Sequence, residues 1–283
     1  MWRWRSLLGF LGLVCLGAAP AVSAIAPSPA ASTSPSEPGV ASPAPAPSEP
    51  PKFAFAPPAY RVLEDAMDPA LYVLDGRVPN GRVLIYLHGY CGDINAIGAF
   101  AEAATAHGTV ITLLGDQPCP DRPGRFKWSR DIKGLDQRIQ RALGRVAAQG
   151  RVPIDRADVT LMGYSQGALR AESLARFYGS HYRRVVLGGP PERPSPRHFP
   201  SALAIAVVGG EKEDTADMQR GTQDLQTAGK LARFFLLPGV DHGEFGADGN
   251  RVMSEALGFV LAPTPSPVNP PNPPPVAPNV AQR

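Results

Sequence analysis

Five residues near the middle of the chain, Gly163-Tyr164-Ser165-Gln166-Gly167, have the form G-x-S-x-G. They join a strand-forming run at 158–162 to a helix-forming run at 168–177. A serine on so tight a strand-to-helix turn sits in a strained backbone conformation, with its hydroxyl standing clear of the sheet edge. Side chains two residues to either side would collide there, which accounts for Gly163 and Gly167. The helix beginning beneath the serine presents free N–H groups and the positive end of its dipole. The chemistry this implies is nucleophilic: Ser165 Oγ would attack an electrophilic carbon and hold it covalently.

A serine hydroxyl is a weak nucleophile at neutral pH and needs a base within hydrogen-bond reach. Of the five histidines, His242 has the right setting, a glycine-bounded loop after the last apolar run and before the last helix-forming one. His107 and His181 flank expected helix ends, and His198 lies among prolines. These three read as solvated surface residues. A base of this kind needs a carboxylate to hold its tautomer and stabilise the imidazolium. The order Ser, acid, His puts it after the strand expected at 202–208, where Gly210-Glu211-Lys212-Glu213-Asp214-Thr215 and Asp217 cluster four acids. Of these Asp214 is preferred, with Glu213 the alternative. The preference rests on a strand ending at Gly209 and on the shorter aspartate having fewer rotamers to fix. Asp241 adjoins His242, and adjacent side chains rarely face each other.

An acyl-transfer site also needs preorganised N–H donors for the developing oxyanion. One is expected from Gln166, directly after the nucleophile. The other is expected from the loop opening at His88-Gly89, on Tyr90 or Cys91. His88 itself reads as a structural loop residue.

The elements that must carry these groups alternate along the chain. Apolar strand-type runs at 71–74, 83–87, 109–114, 184–187, 202–208 and 232–237 are separated by helix-type runs at 94–107, 135–148, 216–229 and 251–260. Asp93 is a plausible cap for the first helix. Such alternation predicts an α/β fold with a mostly parallel sheet covered by helices on both faces. Right-handed crossovers would bring the C-terminal ends of the strands, and with them all three candidate groups, to one edge. The stretch 115–133 reads as a long loop lining the substrate site, with Phe126 and Trp128 as pocket walls. A packing role for Trp128 fits its size equally well. Only about a dozen residues separate 187 from 202, too few for a large lid, so an open and fairly shallow acyl site is expected.

Outside this region of about 200 residues the composition changes. Met1-Trp2-Arg3-Trp4-Arg5 is basic, an apolar run follows to Ala19, and Val22-Ser23-Ala24 offers small residues for cleavage. This predicts a signal peptide over 1–24 and an exported, periplasmic or secreted, mature protein. An uncleaved anchor helix is the alternative. The segments 25–58 and 263–283 are rich in Pro, Ala and Ser and read as disordered linkers around a single domain at 59–262. A net charge of +3 with scattered basic residues gives no nucleic-acid footprint. No C-x-x-C or H-E-x-x-H occurs, so no metal site or cofactor is expected. Cys91 and Cys119 both follow neighbouring strands toward the same edge, and in an oxidising compartment they are expected to form a disulfide.

Taken together, Leu87-His88-Gly89, the Gly163–Gly167 pentapeptide and the loop at His242 resemble those of α/β-hydrolases. Within that superfamily they are most similar to the phospholipase/carboxylesterase branch that includes acyl-protein thioesterases. The resemblance implies a serine hydrolase with the Tyr90 and Gln166 amides as oxyanion donors. That branch usually carries Gly-x-x-Asp at the acid position. Here Gly210 plus three is Glu213, and Asp214 comes one residue later. The expectation is an exported, monomeric serine esterase acting on small-molecule carboxylic esters or thioesters, without a membrane span in its mature form. A peptidase of the same fold would be expected to bring a cap or accessory domain. A non-catalytic module would have no use for the Ser, His and acid together.

Overall fold

The strands that carry the site are buried on both faces. In the computed structural model, which describes residues 58–64 and 69–263, β3 (Val83–Leu87) pairs in parallel with β4 (Thr109–Leu113) on one side and β7 (Val159–Tyr164) on the other. Every residue of β3 and β4 is buried, as continuous apolar runs at the centre of a covered sheet require. Beyond β7 the parallel order continues through β8 (Arg184–Gly188), β9 (Ala204–Gly210) and β10 (Ala232–Leu237). On the other flank, β2 (Leu71–Leu74) pairs antiparallel with β4, and β1 (Arg61–Leu63) antiparallel with β2. The result is one eight-stranded, mostly parallel sheet in the order β1-β2-β4-β3-β7-β8-β9-β10.

The period-two alternation of the strands divides the core into two layers. Val83, Ile85 and Leu87 face the layer shared with α2 (Ile132–Ala148), α3 (Gln166–Phe177) and α4 (Ala216–Thr227). Leu84 and Tyr86 face the opposite layer, with α1 (Ala101–His107) and α5 (Gly249–Leu261). In-register parallel pairing, Leu87 beside Gly163 and Tyr164 beside Gly188, aligns the C-terminal ends of the central strands along one edge. The loops bearing Tyr90, Ser165, Glu213 and His242 all leave from that edge.

Three local expectations are corrected. The helix expected over 94–107 is two pieces, a 3₁₀ segment Ile94–Ala99 capped by Asp93, then α1. Phe100 between them leaves helical dihedrals, and its buried ring packs against Tyr86 and Phe245 at 5.7 and 5.0 Å. The stretch 115–133 is not a bare loop. It holds a two-stranded ribbon, β5 (Gln117–Pro118) against β6 (Phe126–Lys127), and the first residues of α2. Strand β9 does not stop at Gly209, because β10 pairs with it through Leu236–Gly209 and Leu237–Gly210.

The connection from Gly188 to Ala204 holds a single short 3₁₀ turn, Pro196–His198, and nothing of the size of a lid. Among the described residues no helix is long and apolar enough to cross a membrane. The expected signal segment 1–24 lies outside the described residues. So do the linkers expected at 25–58 and 263–283, apart from Pro58 and Pro263.

Candidate active site

Ser165 stands between β7 and α3 with φ 51° and ψ −116°, the strained geometry expected of a tight strand-to-helix turn. Its N–H donates to the Gly188 carbonyl at 2.8 Å, which locks the turn to the neighbouring strand. The two glycines are required by backbone contact. A Cβ at Gly163 would lie 2.3 Å from the Gly167 carbonyl oxygen, and one at Gly167 would lie 2.0 Å from that of Leu87.

His242 reaches this serine from the loop between β10 and α5, with Nε2 3.1 Å from Ser165 Oγ. Its Nδ1 is 2.7 Å from Glu213 Oε2. Glu213 is in turn fixed by its other oxygen, Oε1, which accepts the Gly210 N–H, and by its own N–H on the Gly210 carbonyl at 3.2 Å. Its side chain is 10% exposed, so the carboxylate is largely shielded from water. The hydrogen bond to Glu213 raises the His242 pKa above its ordinary value. Partial burial opposes the rise, and the charges of Glu213 and Asp241 add to it.

The preference for Asp214 is corrected by this geometry. Its exposed carboxylate accepts the Ala216 N–H at 3.0 Å, at the start of α4, and it is Glu213 that bonds His242. The reason is the length of β9. With the strand running through Gly210, the turn that follows brings the third residue, Glu213, to the histidine, and Asp214 has already passed it. Asp217 pairs with Arg220, and Asp241 accepts the backbone N–H of His242 at 2.7 Å.

The loop after β3 is braced from several sides. Within it Gly92 N–H donates to the Gly89 carbonyl at 3.0 Å, and Cys91 takes φ 47°. Cys91 is disulfide-bonded to Cys119, which ties the loop to the end of β5. His88 is fully buried between a contact of Nδ1 with the Gly89 carbonyl and the Gly115 N–H on Nε2 at 2.9 Å. Burial lowers its pKa, so it accepts at Nε2 as a neutral ring and serves the loop's structure. The amides of Tyr90 and Gln166 have no hydrogen-bond acceptor among the described residues, as donors reserved for a ligand oxygen would require.

Trp128 is buried, with its indole N–H on the His88 carbonyl at 2.8 Å, and it also lines the groove beside the site. It therefore combines the packing and wall roles that its sequence left open. Phe126 is not a pocket wall. It is half-buried in the β5–β6 ribbon, pairs with Pro118, and its N–H donates to the Gly92 carbonyl at 3.3 Å. Two contacts had no signal in the sequence, since both come from the x positions of G-x-S-x-G, where the turn itself dictates no residue type. The Tyr164 hydroxyl accepts the Gly243 N–H at 2.6 Å, and its ring lies 5.3 Å from His242, so it holds the histidine loop. The Gln166 side chain bonds both the N–H and the carbonyl of Trp128.

No protein-family model matches the sequence, and no curated protein sequence does either. Solved structures do match in fold. A carboxylesterase of Bacillus cereus shares 19% identity at a TM-score of 0.51, over 69% of this chain and 96% of that one. Thermogutta terrifontis esterase 2, in a form phosphoramylated by tabun, shares 15% identity at a TM-score of 0.52, over 72% and 93%. Esterase PE8 shares 17% at a TM-score of 0.50, over 67% and 97%. These likenesses place the chain in the α/β-hydrolase fold.

Proposed function

We propose that this protein is an exported serine hydrolase that cleaves carboxylic esters or thioesters of small molecules through an acyl-enzyme. The observation that carries the reading is the unbroken chain Ser165 Oγ, His242 Nε2, His242 Nδ1, Glu213 Oε2, with links of 3.1 and 2.7 Å. Ser165 Oγ attacks the scissile carbonyl carbon and passes its proton to His242 Nε2. Glu213 holds Nδ1 protonated, so that Nε2 is the free lone pair, and stabilises the imidazolium. The carbonyl oxygen, now negative, accepts from the Tyr90 and Gln166 amides. When the carbon–oxygen or carbon–sulfur bond breaks, His242 returns the proton to the departing alcohol or thiol. A water molecule, deprotonated by the same nitrogen, then releases the acid and restores Ser165.

Export is supported by the signal-type residues at 1–24 and by a disulfide, Cys91–Cys119, that suits an oxidising compartment. The test is turnover of p-nitrophenyl butyrate by the purified mature protein. Ser165→Ala and His242→Ala should each lower kcat by about a thousandfold or more, because the two groups act as one unit. Near-normal turnover in either variant, with the fold intact, would overturn the reading.

A further inference from the structure

A groove of about 680 Å³ runs from the oxyanion loop along one face of α3. Tyr90 and Gln166 line its near end, and Lys127, Arg130, Arg170 and Arg176 follow. Neither Ser165 nor His242 forms part of the wall, although Gln166 directly follows Ser165 in the chain. Arg170 lies one turn of α3 beyond Gln166, about 6 Å along its axis, and Arg176 about 15 Å. An ester docked on Ser165 has two halves. The leaving group must sit where His242 can return its proton, whereas the groove begins at the oxyanion donors Tyr90 and Gln166 and does not include His242 in its wall. It is therefore placed to receive the acyl half.

The lining is unusual for an acyl site, which is ordinarily apolar. Lys127, Arg130 and Arg176 have no carboxylate partner among the described residues. Arg170 is fixed by bonds to the Ser129 and Trp128 carbonyls. Its half-burial, and then the nearby charge of Arg130, pull its pKa below the ordinary value, against a smaller opposing effect of the Asp116 carboxylate. Two carboxylates also line the groove. Glu172 is buried, with Oε1 lacking any partner, and burial followed by the charge of Glu192 pushes its pKa up to about 8. At neutral pH it is mostly protonated, so Glu192 is the one charged carboxylate of the lining, against four cations. The groove thus sets a buried carboxyl, with Oε2 3.2 Å from His198 Nδ1 and Oε1 without a partner, beside a net positive wall.

We propose that the acyl half bound here ends in an anion, a carboxylate above all, so that the preferred substrates are half-esters of dicarboxylic acids. A guanidinium matches a carboxylate in planar, two-point fashion. Arg170 engages carbonyls through Nε and Nη2, so Arg130, near enough for its charge to act on Arg170, is the group left to make that match. The inference rests on the esterase reading above, and the experiment separates the two.

The test compares kcat/KM for the mono-p-nitrophenyl ester of adipic acid with that for p-nitrophenyl hexanoate, which has the same chain length without the charge. The half-ester should be favoured about tenfold or more at low ionic strength, and added salt should narrow the ratio. Arg130→Gln should lower the ratio severalfold, while Arg130→Lys should keep most of it. Equal or better use of the hexanoate, or a ratio that Arg130→Gln leaves unchanged, would overturn the proposal while the esterase reading stood. Hydrolysis of neither ester would overturn both.

Discussion

Replacing Glu213 by Gln separates the two oxygens on which the histidine depends. In the native chain Oε1 accepts the Gly210 N–H and Oε2 faces His242 Nδ1 at 2.7 Å. An amide has only one oxygen for those two donors. If it stays on the Gly210 N–H, the NH₂ group faces Nδ1 and forces that nitrogen to accept. The imidazole proton then sits on Nε2, which can no longer take the proton of Ser165 Oγ, 3.1 Å away. A wrong-tautomer substitution of this kind costs up to about 10⁴-fold in kcat, or about 5 kcal/mol of transition-state stabilisation. If the amide rotates and leaves the Gly210 N–H unpaired instead, the histidine recovers at a cost of about 1–3 kcal/mol in stability. The expected loss in kcat is therefore about 10²- to 10⁴-fold.

The pH profile gives a second reading of the same variant. Catalysis needs neutral His242, so kcat/KM falls as pH drops through the imidazole pKa, which Glu213 raises. The acid limb of the native enzyme should lie above pH 6.5, and in Glu213→Gln it should move down. The assay is steady-state hydrolysis of a p-nitrophenyl ester from pH 5 to 9, with Asp214→Asn as the comparison. Asp214→Asn removes only a charge from an exposed helix-start hydrogen bond and should change kcat less than twofold. A small effect of Glu213→Gln, or a large effect of Asp214→Asn, would refute the reasoning.

Two further predictions concern stability. Removing the disulfide with Cys91→Ala and Cys119→Ala opens a loop spanning 28 positions. On the chain-entropy relation it should cost about 3.5 kcal/mol in urea unfolding, and kcat should fall as well because the Tyr90 amide loses its brace. An unchanged denaturation midpoint would contradict this. Glu172, with its carboxyl pushed up to about 8 by burial, keeps a proton in the folded state that the unfolded chain gives up above pH 4.5. Its contribution is fully present below that pH and is lost as pH rises through about 8, with a difference of the order of 3 kcal/mol reached by pH 7. Relative to wild type, Glu172→Gln should gain stability between pH 5 and pH 8 in chemical denaturation, and a pH-independent difference would contradict the burial argument.

The parts of this site that could be read from the sequence are those where chemistry restricts both residue type and spacing. Gly163 and Gly167 are forced by backbone contacts of 2.3 and 2.0 Å, so the pentapeptide marks its own turn. His242 lies in a loop whose place after the last strand brings it to the sheet edge that carries Ser165. The bounds of β10, Ala232–Leu237, are legible because Gly229-Lys230 precedes this apolar run by one residue and Pro238-Gly239 ends it. Gly209-Gly210 resembles a strand terminator, whereas ladder pairing with β10 carries β9 through both glycines, so that Glu213 rather than Asp214 faces His242. That pairing is a tertiary fact with no local signal. The β5–β6 ribbon, two residues on each side, is likewise too short to show alternation. The cations on α3 carry no sequence signal for another reason. Arg170 and Arg176 look like the solvated face of an ordinary helix until the segment Lys127–Arg130 is folded opposite them.

The central claim is that Ser165 is the nucleophile which His242 activates. It is tested most directly by inactivating the protein with a fluorophosphonate and mapping the adduct by peptide mass spectrometry. The account predicts one phosphonyl group per chain on Ser165, loss of ester turnover in proportion to labelling, and labelling slowed by orders of magnitude in His242→Ala. An adduct on any other residue, or full turnover by protein whose Ser165 is modified, would contradict it.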